Sequence, residues 1–293
     1  MNRPIHMEKR RIRAVHSILG FQAGLRQRTL FLFLITALLL VVIGLGGALL
    51  EPGSSATSLH ERNLPPSFSH PFGTDWLGRD MFVRTIQGLS LSMRMGLTGA
   101  VSGALIAAVM GLAAATMGKT VDRIITWLID LFLSVPHLVL LIFIAFVCGG
   151  GIKGVVIGIA LTHWPSLARV IRAEALQIRS AEFVQISRRL GKSRRWIALR
   201  HIWPHLAPQL LVGTLLLFPH AILHEASITF LGLGLSPHQP AIGIILSESM
   251  RYLSAGMWWL AVFPGLSLLI VVRAFDLLGD QLLQLVHPRH ARE

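Results

Sequence analysis

The sequence predicts an all-α integral membrane protein with six transmembrane helices, and three observations carry that prediction. The first is composition: 53% of the 293 residues are hydrophobic and 14% charged, with a mean hydropathy of +0.63, values that belong to membrane proteins. The second is the run Leu30 to Leu50, 21 residues without a charge. Its fifteen Leu, Ile, Val and Phe residues, at about −0.3 to −0.6 kcal/mol each, favour insertion by roughly 5 to 9 kcal/mol. The third is the placement of charge: on a six-span topology, 21 of the 27 Lys and Arg residues fall on one side. By the positive-inside rule that side is the cytoplasm, and both termini lie there.

The elements follow in order. Residues 1–28 form a basic cytoplasmic tail and 29–50 the first transmembrane helix; its apolar core is too long for a cleaved signal peptide, whose core is about 7 to 15 residues. Residues 51–90 read as an extracytoplasmic loop rich in Pro and Gly, ending in a short interfacial helix that Asp75 would cap. Residues 91–283 form the membrane core. Its second span is Met95 to Met117, where Gly99, Gly103 and Gly111 allow close helix approach. A third, Ile124 to Val147, is interrupted by Asp130 and Pro136, and a fourth runs from Val155 to about Val170. The fifth and its exit occupy Leu206 to Leu235, and after a loop at Ser236 to Gly256 the sixth is Met257 to Leu278. Residues 284–293 are a cytoplasmic tail.

Most of the net charge of +13 is thus topological, and nucleic acid is not an expected partner. The single cysteine, Cys148, excludes an internal disulfide framework and reads as a small apolar residue. No phosphate-binding loop, HExxH or GxSxG motif occurs, so no catalytic residue is expected and the chain is not an enzyme.

The segment from Arg169 to Pro204 is the most distinctive. It carries nine Lys or Arg residues against Glu174 and Glu182, and each cation at the bilayer centre would cost about 2.5 to 3.5 kcal/mol, so it lies outside the membrane. Helical spacing puts Ala181, Val184, Gln185 and Arg188 on one stripe and Phe183, Ile186 and Leu190 on another, up to a left-handed stop at Gly191. Ser193 caps a second short helix, Arg194 to Ile202, which Pro204 ends or redirects. On composition alone, a basic helix lying on anionic lipid fits equally well.

That segment resembles the cytoplasmic signature loop of ABC importer permeases. Gln185, Ile186 and Ser187 stand at the Glu-Ala-Ala positions, Gly191 is the glycine, and His201, Ile202, Trp203 and Pro204 close the pattern. HPFGTDWLGRD at His70 to Asp80, EASITFLGLG at Glu225 to Gly234 and FPGLSLLIVVRAFDLLGD at Phe263 to Asp280 are similar to the C-type subunits of dipeptide, oligopeptide and nickel importers. The resemblance implies a type I importer permease fold, with a coupling loop at 173–204 whose contacts fall to Glu182, Phe183, Gln185, Ile186, Ser187, Gly191 and Pro204. It also implies partners: a second homologous permease, two cytoplasmic ATPase subunits that hold ATP and Mg, and a periplasmic or lipid-anchored substrate-binding protein. The site is then the bacterial inner membrane. With Gln185 in place of the usual Glu, the contact made by that carboxylate is missing.

Inside the fifth span, His220 and His224 are four residues apart and share a helical face, a spacing that suits two imidazole ligands of one metal ion. Glu225 is turned by about 100° from His224 and belongs to the EAS element, where a hydrogen-bonding role is the simpler one. The three are translocation-path candidates, because ionisable groups in a span face the interior or a water-filled path. His163 and Trp164 before Pro165, and His137 after Pro136, are read as packing or path residues. Asp130 is expected to pair with Arg123 or Arg273, and Arg273, Asp276 and Asp280 to form an intrahelical ladder. The histidine pair is similar to that of nickel-type members, which leans the substrate toward nickel or a metal chelate. The alternative is a dipeptide or oligopeptide permease without a metal role. From a different class, an ion-coupled secondary transporter would need a proton or sodium site at mid-membrane.

Overall fold

A computed structural model describes residues 5–50, 57–236 and 239–286. The ends of both expected tails, residues 1–4 and 287–293, lie outside the described residues. Ten α-helices follow one another among the described residues: α1 (Ile5–Leu49), α2 (Met81–Thr116), α3 (Lys119–Ser134), α4 (His137–Val147), α5 (Gly151–Ser180), α6 (Glu182–Arg189), α7 (Arg194–Ile197), α8 (Trp203–Phe230), α9 (Ile242–Leu253) and α10 (Trp259–Val286). Five apolar stretches are long enough to cross a membrane: Gln27–Leu49, Met81–Thr116, Gly151–Ser180, Arg194–Phe230 and Trp259–Gln284; α3 and α4, bent by 100°, make a sixth if taken as one broken span.

That break has a local cause. Pro136 lacks an N–H and its ring disfavours helical geometry in the residue before it; Val135 is accordingly extended (φ −90°, ψ 138°). α3 ends there and α4 restarts at His137 in a new direction.

The centre of the fold is the packing of α2 on α5. A Cβ on Gly99 would sit 2.6 Å from Ile159 Cγ2, and one on Gly111 2.8 Å from Ile171 Cγ2 and 2.9 Å from the Ala168 carbonyl oxygen. The small residues Ala100, Ala104, Ala107, Ala108, Ala114 and Ala115 are buried along the same helix. In lipid, where the solvent is itself apolar, such close approach supplies the van der Waals contact that holds helices together. Around this seam, one apolar core gathers Leu89, Ile159, Phe218, Ile222, Val271 and Phe275, with the Phe218 and Phe275 rings 3.7 Å apart. A second, toward the basic segment, gathers Ile129, Trp164, Ile171, Ile197, Ile202 and Leu206.

Several expectations change. The interfacial helix and the second span are one helix: α2 starts at Met81 and runs unbroken for 36 residues. Its cap is Asp80, whose carboxylate accepts from the Val83 amide at 3.0 Å, and not Asp75. Asp75 is fully buried. It accepts from the amides of Leu77 and Arg79, both at 2.9 Å, and from the guanidinium groups of Arg79 and Arg84, both at 2.7 Å. Arg84 also donates to Glu248 on α9 at 2.9 Å, so the HPFGTDWLGRD segment is tied to a helix that lies inside the supposed 236–256 loop. Asp130 pairs with Arg169 at 2.7 Å, because α3 lies against α5 and not beside Arg273. Of the ladder, the Arg273–Asp276 rung forms at 3.3 Å.

The α2–α5 seam leads to a direct prediction. Gly111→Leu drives a side chain into backbone and should cost about 1–3 kcal/mol, read as a lower unfolding midpoint of the purified protein in detergent. Gly265→Ala, whose Cβ would meet Leu246 Cδ2 at 3.8 Å, should leave that midpoint unchanged.

Candidate functional site

The basic segment folds into a helix, a corner and a helix. α5 stops where Ala181 turns extended (φ −64°, ψ 147°). The Gln185 side-chain amide then donates to the Arg179 carbonyl at 3.0 Å, satisfying a backbone oxygen that the end of α5 leaves open. An amide can make this bond and a carboxylate cannot. The residue that departs from the signature pattern therefore has a positioning role of its own here.

α6 carries Glu182 in its first turn and Arg188 and Arg189 in its last, which is the order the helix dipole favours. It closes on Gly191 at φ +80°, with the Gly191 amide donating to Arg188 O at 3.1 Å and the Lys192 amide to Ser187 O at 3.2 Å. This is the paired bond pattern of a left-handed helix cap, in which glycine carries no Cβ penalty. Ser193 Oγ then accepts from the Trp196 amide at 3.2 Å and starts α7. Pro204 does not end the helix that follows. A π turn over Ala198–Ile202 joins α7 to α8, and Pro204 sits in the first turn of α8, where its missing N–H costs little.

Side chains fix the angle of the corner. Ser187 Oγ donates to Phe183 O at 2.9 Å and lies 2.9 Å from His201 Nε2. The His201 ring meets Phe183 and Trp196 edge-on, at 5.5 and 5.1 Å, and Phe183 stacks on His205 at 5.7 Å. Val184 is buried against the second core. Phe183, Ile186 and Leu190, the other predicted stripe, face outward, Ile186 at 58% and Leu190 at 74% exposure, with Arg188, Arg189, Arg194 and Arg195 exposed around them. An apolar stripe within a basic rim thus lies on the outside of a packed helix. Behind it, α5 is held to its neighbours: Arg172 makes a two-pronged pair with Asp122, at 2.5 and 2.8 Å, and Arg179 donates to Ala115 O at 2.5 Å.

In the membrane core, the two histidines of the predicted pair have different surroundings. His220 is exposed, whereas His224 meets His137 and His163, with ring centroids 4.3 and 5.2 Å away. Glu225, the next residue on α8, is fully buried, beside Ser92 and Thr229. The meeting of three histidines from α4, α5 and α8 was not legible in the sequence; the signal it offered was that His137 follows Pro136 directly and His163 stands two residues before Pro165.

The comparisons bear on this architecture. Residues 103–292 match the family model of the binding-protein-dependent transport system inner membrane component. The chain belongs to this family. A protein of Brucella suis biovar 1 named as a peptide transport system permease is 34% identical over 90% of this chain and 89% of its own length. The dipeptide transport system permease protein DppC of Bacillus subtilis is 32% identical over 87% and 80%. Among solved structures, the inward-facing MetNI methionine ABC transporter superimposes with a TM-score of 0.59 at 18% identity, over 70% of this chain and 97% of that one, a likeness of fold. The protein is thus a multi-pass inner-membrane permease subunit of an ABC importer, not itself an enzyme.

For the corner of this permease, Gln185→Glu removes the bond to Arg179 O and should raise hydrogen exchange of the 181–189 amides several-fold, with the exchange of α2 unchanged. Equal protection in both proteins would mean that the amide does not hold α6 in place.

Proposed function

We propose that this permease pairs with a second, related permease to form the path of an ATP-driven importer of short peptides. Both termini and the 173–204 segment face the cytoplasm, where α6 sits in a groove of an ATPase subunit. Two such ATPase subunits bind ATP and Mg, and their closure moves α6 and, through it, α5 and α8. A binding protein on the opposite face delivers the peptide.

The observation that carries the reading is the corner itself: an exposed Phe183, Ile186 and Leu190 stripe on a helix anchored at its back by Val184 and turned at Gly191. A lipid-bound helix would suit the basic rim but has no use for a rigid corner braced by Ser187 and His201. Peptides are favoured as the substrate because the relatives at 32–34% identity are named for peptide and dipeptide transport. The lean toward nickel has no such support and rests on histidines alone.

The test is Gly191→Pro in the assembled transporter. It should leave the chain inserted in the membrane and the ATPase active, and should reduce uptake of a radiolabelled dipeptide at least tenfold. Uptake at the unmodified rate would overturn the docking role of this corner.

A further inference from the structure

We infer that His137, His163 and His224 form a binding site for one divalent transition-metal ion of the zinc, nickel and copper class. The inference stands apart from the peptide reading, since it concerns what this chain holds and not what the transporter carries.

The residues come from three helices. His137 is the first residue of α4, turned inward by the Pro136 break; His163 is on α5 and His224 on α8. One ligand nitrogen from each ring lies within 4.8 Å of the other two, and the rings of His137 and His163 are 4.6 Å apart at 90°. Imidazole nitrogens sharing a tetrahedral ion at about 2.0–2.1 Å stand roughly 3.3 Å apart, so the set needs to contract by no more than about 1.5 Å, within the reach of side-chain rotation.

The protonation pattern agrees. His163 Nδ1 is 2.9 Å from the Ile159 carbonyl and so carries the proton, leaving the lone pair on Nε2. A backbone carbonyl bonded to the second ring nitrogen is the usual way that a metal-binding histidine is oriented. His163 is only 4% exposed, and its Nε2 and the Nε2 of His137 are buried without a hydrogen-bond partner. Buried, partnerless ring nitrogens are rare in a folded protein, because each costs free energy unless a partner such as a metal ion fills the space beside it.

The donor set selects the ion. Three neutral imidazoles with no carboxylate suit zinc, nickel or copper, while magnesium and calcium take oxygen ligands. Glu225 and His220 are outside the set, and Cys148 is exposed at the far end of α4. Three protein ligands leave one position open. A bound ion would fasten α4, the piece beyond the break, to α5 and α8.

The experiment uses the full-length chain with a tag free of histidine, stripped with a chelator and titrated with Co²⁺ and Zn²⁺ in detergent. The expected result is about one ion per chain by elemental analysis, a visible d–d spectrum of tetrahedral Co²⁺, and a higher unfolding midpoint with Zn²⁺. His163→Gln should abolish the Co²⁺ spectrum, His137→Ala and His224→Ala should each weaken binding at least tenfold, and His220→Ala should leave it unchanged. Should His163→Gln aggregate, the His137→Ala and His224→Ala proteins decide the matter on their own. Absence of saturable binding, or a Co²⁺ spectrum that survives His137→Ala and His224→Ala, would overturn the proposal.

Discussion

Close contact between α2 and α5 is the constraint on which the rest of this structure depends. Without side chains at Gly99, Gly103 and Gly111, α5 approaches α2 until Ile159, Ala160 and Ile171 touch its backbone trace. The two helices are 36 and 30 residues long, about 54 and 45 Å at 1.5 Å per residue, so they outreach the hydrocarbon core of about 30 Å. At one end α2 grows out of the Asp75–Arg84–Glu248 network. At the other, α5 delivers Ala181 and α6. His163 sits midway along the same seam, where a Cβ on Gly103 would lie 3.7 Å from its own Cβ. The cap, the histidines and the corner are therefore three stations on one rigid pair.

Rigidity of this kind suits the role proposed for the corner. A force applied to α6 acts on a helix whose back is packed through Val184, whose Ser187 is linked to His201, and whose neighbour α5 is tied to α2 and α3 by Arg179 and Arg172. The path continues into α8 without a hinge at Pro204, because the π turn before it accommodates the proline. The bend between α3 and α4 is the one abrupt change of direction inside the apolar core among the described residues, and its first residue after the break is a member of the histidine set.

Much of this was legible in the sequence because membrane insertion is written in composition and period. Glycine and serine chemistry marked Gly191 and Ser193, and the motifs around them identified the family. Single-residue partners were harder. Asp75 and Asp80 are both good caps, and only the turn geometry decides for Asp80. Asp130 was expected to pair with Arg123 or Arg273, and the packing of α3 on α5 gives it Arg169 instead. α9 escaped notice because it is short and is stabilised by tertiary contact. The histidine set is not a local feature: a spacing of four residues reports neighbours on one helix, such as His220 and His224, whereas His137, His163 and His224 come together from three helices.

The central claim is that the α6 corner meets a cytoplasmic ATPase. The direct measurement is Ile186→Cys in a Cys148→Ser background, in intact cells expressing the whole transporter. The account predicts that a membrane-impermeant maleimide labels this position only after permeabilisation, and that mild oxidation links it to a cysteine placed in the groove of the ATPase subunit. Labelling in intact cells, or an Ile186→Cys that stays freely reactive in the assembled transporter and forms no link, would contradict it.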